Sequence, residues 1–116
     1  MSLLKSFDLK GIGPGIQSRP APEIVVEGDP TFTSWPQSDG PVQVGVWGAT
    51  PGAHKMARDD KTWEQFHLIE GEIEITEDGE PARRYRAGDT VIIEPNFKGI
   101  WRTIAPVKKI YVSVTR

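Results

Sequence analysis

At 116 residues and 12.9 kDa the chain is long enough to bury one hydrophobic core, and its 37% hydrophobic and 26% charged residues give a soluble, globular balance. A formal net charge of -2 supplies no electrostatic footprint for nucleic acid or an anionic membrane, and the lack of cysteine excludes disulfides, thiol nucleophiles and cysteine-type zinc sites. No apolar run approaches the roughly 20 residues of a membrane-spanning helix, and Met1 to Asp8 carries no signal-peptide core, so a cytoplasmic protein is expected.

Punctuation by 12 Gly and 10 Pro leaves no room for long helices, since proline removes a donor and clashes with the preceding turn. Many short strands joined by turns fit instead, and the fold class expected is all-β. Residues 1–22, with Gly11-Ile-Gly-Pro-Gly15 and Pro20-Ala-Pro22, read as an irregular arm packed on the domain or on a partner subunit. Pro14 interrupts the glycines and no strand–helix frame surrounds them, which argues against a phosphate loop. Glu23 to Glu27 reads as a short strand ended by Gly28-Asp29-Pro30, and Thr31 to Pro41 as a loop.

Val42, Val44 and Val46 alternate with Gln43 and Gly45, the period of a half-buried strand, which Trp47 extends towards a turn at Pro51-Gly52. From Trp63 to Glu70, Glu64, Phe66 and Leu68 share one face, and Gln65, His67 and Ile69 the other. Gly71 is expected to turn the chain into Glu72 to Thr76, where Ile73 and Ile75 alternate with glutamates. Asp78-Gly79 reads as a hairpin turn. Pro81 to Arg86 returns as a strand, Ala87-Gly88-Asp89 turns, and Thr90 to Glu94 carries Val-Ile-Ile, suited to a buried strand. Pro95-Asn96 is a break, Gly99 to Ile104 resumes, and Ile110, Val112 and Val114 close the chain. Roughly eight to ten short strands suit a sandwich, jelly roll or barrel, and periodicity does not choose among them.

The choice comes from one stretch. Gly52, five residues, Arg58, one residue, Asp60, three residues, Glu64, six residues and Gly71 is the frame of the first cupin motif. Together with Trp47, Pro51-Gly52, Glu70-Gly71, Ala87-Gly88-Asp89, Gly99, Trp101 and Lys108-Lys-Ile-Tyr111, it resembles a small single-domain cupin. The family it resembles is the one related to (S)-ureidoglycine aminohydrolase and the ethanolamine-utilisation cupins. This resemblance implies a double-stranded β-helix, an RmlC-like jelly roll, filling 1–116 as one domain with the arm at 1–22 and the barrel at 42–115. It also implies a homodimer.

In such cupins two histidines and a glutamate of the first motif hold a metal. Here the histidine positions carry Arg58 and Asp60, and the second-motif histidine position falls on Gly99. A guanidinium in a ligand position repels a cation, so no metal and no other cofactor is expected. His67 points away from the interior by strand parity, while His54 lies within reach of the barrel mouth.

Arg58, Asp60 and Glu64 are then expected at the barrel mouth. Arginine is a fork of donors suited to a carboxylate or phosphate. Asp60 and Glu64, if adjacent and partly buried, would raise one carboxyl pKa and act as acid or base. The plainer alternative is that Arg58 pairs with one of them and closes the former metal pocket. Trp101 follows Gly99 and is a candidate stacking surface, although most tryptophans in a small barrel are core. Tyr111 and Lys108 are further ligand candidates through the resemblance. Arg83, Arg84 and Arg86, with Glu80 and Asp89 nearby, read as a solvated strand face.

Three functions remain open. The residues favour a module holding a small polar or anionic metabolite through Arg58, Glu64, Trp101, Tyr111, Lys108 and His54. The alternative is a metabolite-processing enzyme, ureidoglycine aminohydrolase-like or isomerase-like, using Glu64 with Arg58 and Asp60. The third is a structural dimer.

Overall fold

A computed structural model describes residues 2–116. Nine strands make up almost all of its regular structure: β1 (Ile16–Ser18), β2 (Val25–Gly28), β3 (Phe32–Pro36), β4 (Val42–Ala49), β5 (Gly52–Ala57), β6 (Thr62–Glu77), β7 (Arg83–Arg86), β8 (Thr90–Ile93) and β9 (Lys98–Thr115). The remaining element is a single 3-10 turn at Pro22–Ile24.

Two long antiparallel strands form the spine. β6 and β9 pair from Thr62↔Thr115 to Glu77↔Gly99, with register shifts between Leu68 and Ile73. On the free side of β9, β4 takes the 107–114 half and β5 the 98–103 half. On the free side of β6, β8 pairs 64–67 and β7 pairs 72–75. β3 and then β1 extend the β4 edge, and β2 extends the β5 edge. The two halves of the spine therefore belong to two facing sheets, closed on each other as the jelly-roll barrel of a double-stranded β-helix.

The bend sits at Gly71. Its backbone has φ of +89°, a region that L-residues with a Cβ avoid, and a Cβ there would meet the Pro106 carbonyl and Val107 Cα of β9. The expected turn at Gly71 is thus a kink within one continuous strand. Pro106 likewise lies inside β9, which does not break between Ile104 and Ile110.

Alternation along β6 follows the expected parity. Glu64, Phe66, Leu68, Ile73 and Ile75 are buried, while Gln65 and His67 are exposed. Phe66, Leu68, Ile73 and Ile75 join Ala49, Val91, Ile93, Trp101 and Val107 in one core. Full burial of side chains such as Phe66, Leu68 and Ile73 stabilises by about 1.5–3 kcal/mol each.

Other expectations need correction. Phe32–Pro36 is a strand rather than a loop, because its backbone pairs with β4 from Phe32↔Ala49 to Pro36↔Gly45. Gly52–Ala57 is a strand too, in a stretch whose Gly, His and Lys hide the alternation. The Val-Ile-Ile run is half-buried: Val91 and Ile93 point inward while Ile92 is 55% exposed. In the N-terminal arm, Ile16–Ser18 pairs with β3, and the carbonyl of Gly13 accepts the Trp35 indole N–H at 2.8 Å. No helix among the described residues is long and apolar enough to cross a membrane.

Candidate functional site

A cavity of about 690 Å³ opens at one end of the barrel. Rows of inward-facing residues across β4, β9 and β6 build one wall. Gln43, Ser113 and Glu64 form one row, Gly45, Tyr111 and Phe66 the next, and Trp47, Lys109 and Leu68 the third. His54 and Met56 of β5, opposite Trp101 and Gly99 of β9, form the other wall. Gly45 matters by its size: a Cβ there would collide with the Tyr111 hydroxyl at 2.7 Å, so the missing side chain makes room for the phenol.

The polar centre is a triad of charges. Glu64, only 4% exposed, receives Arg58 Nη2 on Oε1 at 2.7 Å and Lys109 Nζ on Oε2 at 2.6 Å. Arg58 is brought in by the end of β5, where its backbone N–H donates to the Phe97 carbonyl at 2.8 Å. Lys109 is surrounded by rings, with Nζ 4.5 Å from the Phe66 centroid, 5.0 Å from Trp47 and 5.1 Å from Trp101. Burial disfavours the carboxylate of Glu64, yet the charges of Lys109 and Arg58 and their hydrogen bonds together outweigh it and hold its pKa below the usual range. Burial lowers the Lys109 pKa; the Glu64 charge opposes this without cancelling it. Burial, reinforced by Glu64, raises that of Tyr111. His54 is pushed down to about 4 by burial first and then by the charges of Lys109 and Arg58, so it is a neutral imidazole at neutral pH.

The predicted residues divide accordingly. Arg58, Glu64, His54, Trp101 and Tyr111 meet in the cavity wall. Trp101 has its indole N–H committed to Thr103 Oγ1 at 2.9 Å, so it offers a ring and no free donor. Asp60 is exposed and outside the cavity. The turn between β5 and β6 is held by its neighbour Asp59, whose Oδ1 accepts the N–H groups of Lys61 and Thr62. The expected carboxylate pair is therefore absent, and Glu64 shifts downward because its neighbours are cations. Lys108 faces the other side of the sheet, its Nζ 5.1 Å from the Trp35 ring. Lys109 is the buried lysine of the pocket, and Lys55 lines it from an exposed position on β5. Strand parity could have found Lys109, because it lies two residues before Tyr111 and Lys108 three. His67 turns away, as expected, with Nδ1 2.9 Å from Thr90 Oγ1.

A cupin-type metal does not fit this donor set. Both oxygens of Glu64 are engaged by cations, and among the described residues no three His, Cys, Asp or Glu side chains converge. A Cβ at Gly99 would collide with the Thr76 carbonyl, so this backbone excludes a histidine at that position.

Comparison with known proteins agrees with the architecture. The family model of the EutQ-like cupin domain matches residues 36–111. A Pseudomonas syringae pv. tomato protein of unknown function, of the DUF861 family, superposes with a TM-score of 0.70 at 26% identity over 84% of this chain and 42% of its own. The chain thus spans less than half of that protein's length. The Clostridium difficile EutQ protein gives a TM-score of 0.65 at 16% identity, over 74% of this chain and 64% of its own. A putative ethanolamine utilization protein of Salmonella typhimurium gives 0.62 at 17% identity, over 76% of this chain and 71% of its own. At such identities these last two likenesses show the fold alone. No curated protein matches the chain. With the motif frame, the two-sheet barrel and the match over 36–111 in agreement, the chain belongs to the EutQ-like cupin domain family.

Proposed function

We propose that the chain binds a small organic anion in the barrel mouth, with Arg58 as the clamp and the aromatic rings as walls. One observation carries the reading: the polar centre holds two cations against one carboxylate inside a cavity whose remaining surface is mainly apolar. A net positive charge facing a low-dielectric cavity attracts an anion more strongly than the same charge in water. Arg58 uses one terminal nitrogen on Glu64 and keeps further donors for a carboxylate or phosphate. The cavity volume falls within the roughly 300–1,000 Å³ of small-molecule sites. The aminohydrolase-like alternative requires Asp60 to act beside Glu64, and the exposed position of Asp60 weighs against it.

Thermal shift measurements with a panel of small carboxylates and sugar phosphates test the proposal. At least one compound is expected to stabilise the wild-type chain, with the shift lost in Arg58→Ala. A panel without any Arg58-dependent shift would refute it.

A further inference from the structure

We propose that Lys109 is a nucleophilic amine that condenses with the carbonyl carbon of a small α-keto acid whose carboxylate lies on Arg58, forming a protonated imine in the pocket. This rests on the anion-binding reading above and names the substrate class it serves. Of the seven lysines in the chain, Lys109 is the buried one, 6% exposed, and it lines the cavity directly. Three features of its surroundings point to carbonyl chemistry rather than to a bare ion pair.

The first is proton handling. Glu64 Oε2 lies 2.6 Å from Lys109 Nζ, within reach to take a proton from the ammonium and return it later. The second is placement. Arg58 and Lys109 hold the two oxygens of the same carboxylate, so both lie within the span of one small ligand. A keto acid whose carboxylate sits on Arg58 presents its neighbouring carbonyl carbon to Nζ. The third is shielding. The rings of Trp47, Phe66 and Trp101 pack around the amine, which is 6% exposed, so the C–N bond would form away from the solvent at the cavity mouth. Burial also lowers the Lys109 pKa, so its ammonium yields a proton to Glu64 more readily than a solvated lysine would, and it raises that of Tyr111, which keeps the phenol protonated in the same cavity.

The step balances. Glu64 accepts a proton from the Lys109 ammonium, and the freed lone pair forms the C–N bond as the carbonyl π pair moves to oxygen. That oxygen takes up the second proton of the attacking nitrogen, giving a neutral carbinolamine. Protonated Glu64 then delivers its proton to the hydroxyl, the C–O bond breaks, water leaves and the iminium pairs with the regenerated carboxylate. No oxidant or co-reactant is consumed.

The test is reductive trapping on the full chain. Pyruvate with sodium cyanoborohydride, followed by intact mass and peptide mapping, is expected to add one reduced pyruvate unit on Lys109. Excess lactate, which has the carboxylate but no carbonyl, is expected to suppress the adduct. Lys109→Arg is expected to lower it at least tenfold, and the wild-type peptide map locates the adduct even if that variant fails to fold. No adduct, or adducts spread equally over exposed Lys5, Lys10, Lys61 and Lys98, which lie outside the cavity, overturns the imine. Thermal shifts with pyruvate and lactate without reductant separate the two proposals. Arg58-dependent stabilisation without an adduct overturns the imine and leaves anion binding standing. An adduct on Lys109 without Arg58-dependent stabilisation supports the imine and removes the carboxylate clamp.

Discussion

Replacing Glu64 by glutamine removes the one negative charge between two cations, and its effect can be worked out from the site. The glutamine side chain keeps the shape and an acceptor oxygen, but it leaves the Lys109 ammonium 6% exposed with no counter-charge. Breaking one partner of a buried ion pair is destabilising by about 3–5 kcal/mol. Arg58 is 27% exposed and can turn to water, which places the expected loss near the lower end, about 3 kcal/mol. With an unfolding entropy of about 2.1 cal/mol/K per residue, a domain of this length loses roughly 4 °C of Tm per kcal/mol, so a drop of about 12 °C is expected. Urea unfolding at neutral pH gives the free energy directly, and a scanning melt gives the Tm. The double variant Glu64→Gln with Lys109→Met is expected to recover at least half of the loss, because an apolar side chain then sits among the rings of Trp47, Phe66 and Trp101. A single-variant loss below about 1 kcal/mol, or a double variant no more stable than the single, would show that water solvates the pair and that its burial costs nothing.

Acid should destabilise the fold in two overlapping ranges. His54 has a folded pKa of about 4 against 6.5 when free, so the unfolded chain takes up the proton first and stability falls as pH drops from 6.5 to about 4. Allowing for the open cavity mouth, the loss amounts to about 1–2 kcal/mol, and urea midpoints across that range should flatten in His54→Asn. Glu64, depressed below its ordinary 4.5, adds stability that is present above that value and lost as pH falls through its folded pKa. Gly71→Ala combines positive φ with a collision at the Pro106 carbonyl and should lose more than about 2 kcal/mol, whereas Gly79→Ala, at φ +82° with nothing near its Cβ, should lose about 1 kcal/mol. Equal losses in urea unfolding would remove the collision from the explanation. Lys108→Ala should leave binding of any Arg58-dependent ligand unchanged in the thermal shift assay, while Lys109→Met should weaken it at least fivefold; the reverse ranking would contradict the facing of β9.

The all-β class was legible because its signals are local, alternation along β6 and the turn residues, while the jelly roll itself came from the resemblance that the spacing from Gly52 to Gly71 carries. β3 and β5 were not legible, since Phe32–Pro36 and Gly52–Ala57 take their extended form from pairing with β4 and β9 rather than from their own pattern. The site was half legible. Glu64 and Arg58 stood out from the motif frame, and Tyr111 and Trp101 from the resemblance. Asp60 was misplaced because motif spacing counts positions but does not see that the turn exposes them. Lys109 was missed because Ile110, Val112 and Val114 look like the interior face of β9, whereas the pocket takes the alternate set with Lys109, Tyr111 and Ser113. The polar face of that strand is the inward one, a reversal that only the closed barrel reveals.

The central place of β9 has a consequence for how the molecule is made. Every strand it pairs with, β4, β5 and β6, lies earlier in the chain, at sequence separations of up to about seventy residues. During synthesis those partners emerge with unsatisfied edges, and no amount of local pairing closes the barrel until β9 arrives. Trp101, Lys109 and Tyr111 come with it. Barrel closure and pocket assembly are therefore one event, slow by its topology, and a nascent chain lacking β9 has neither a finished fold nor a binding site for any ligand to rescue.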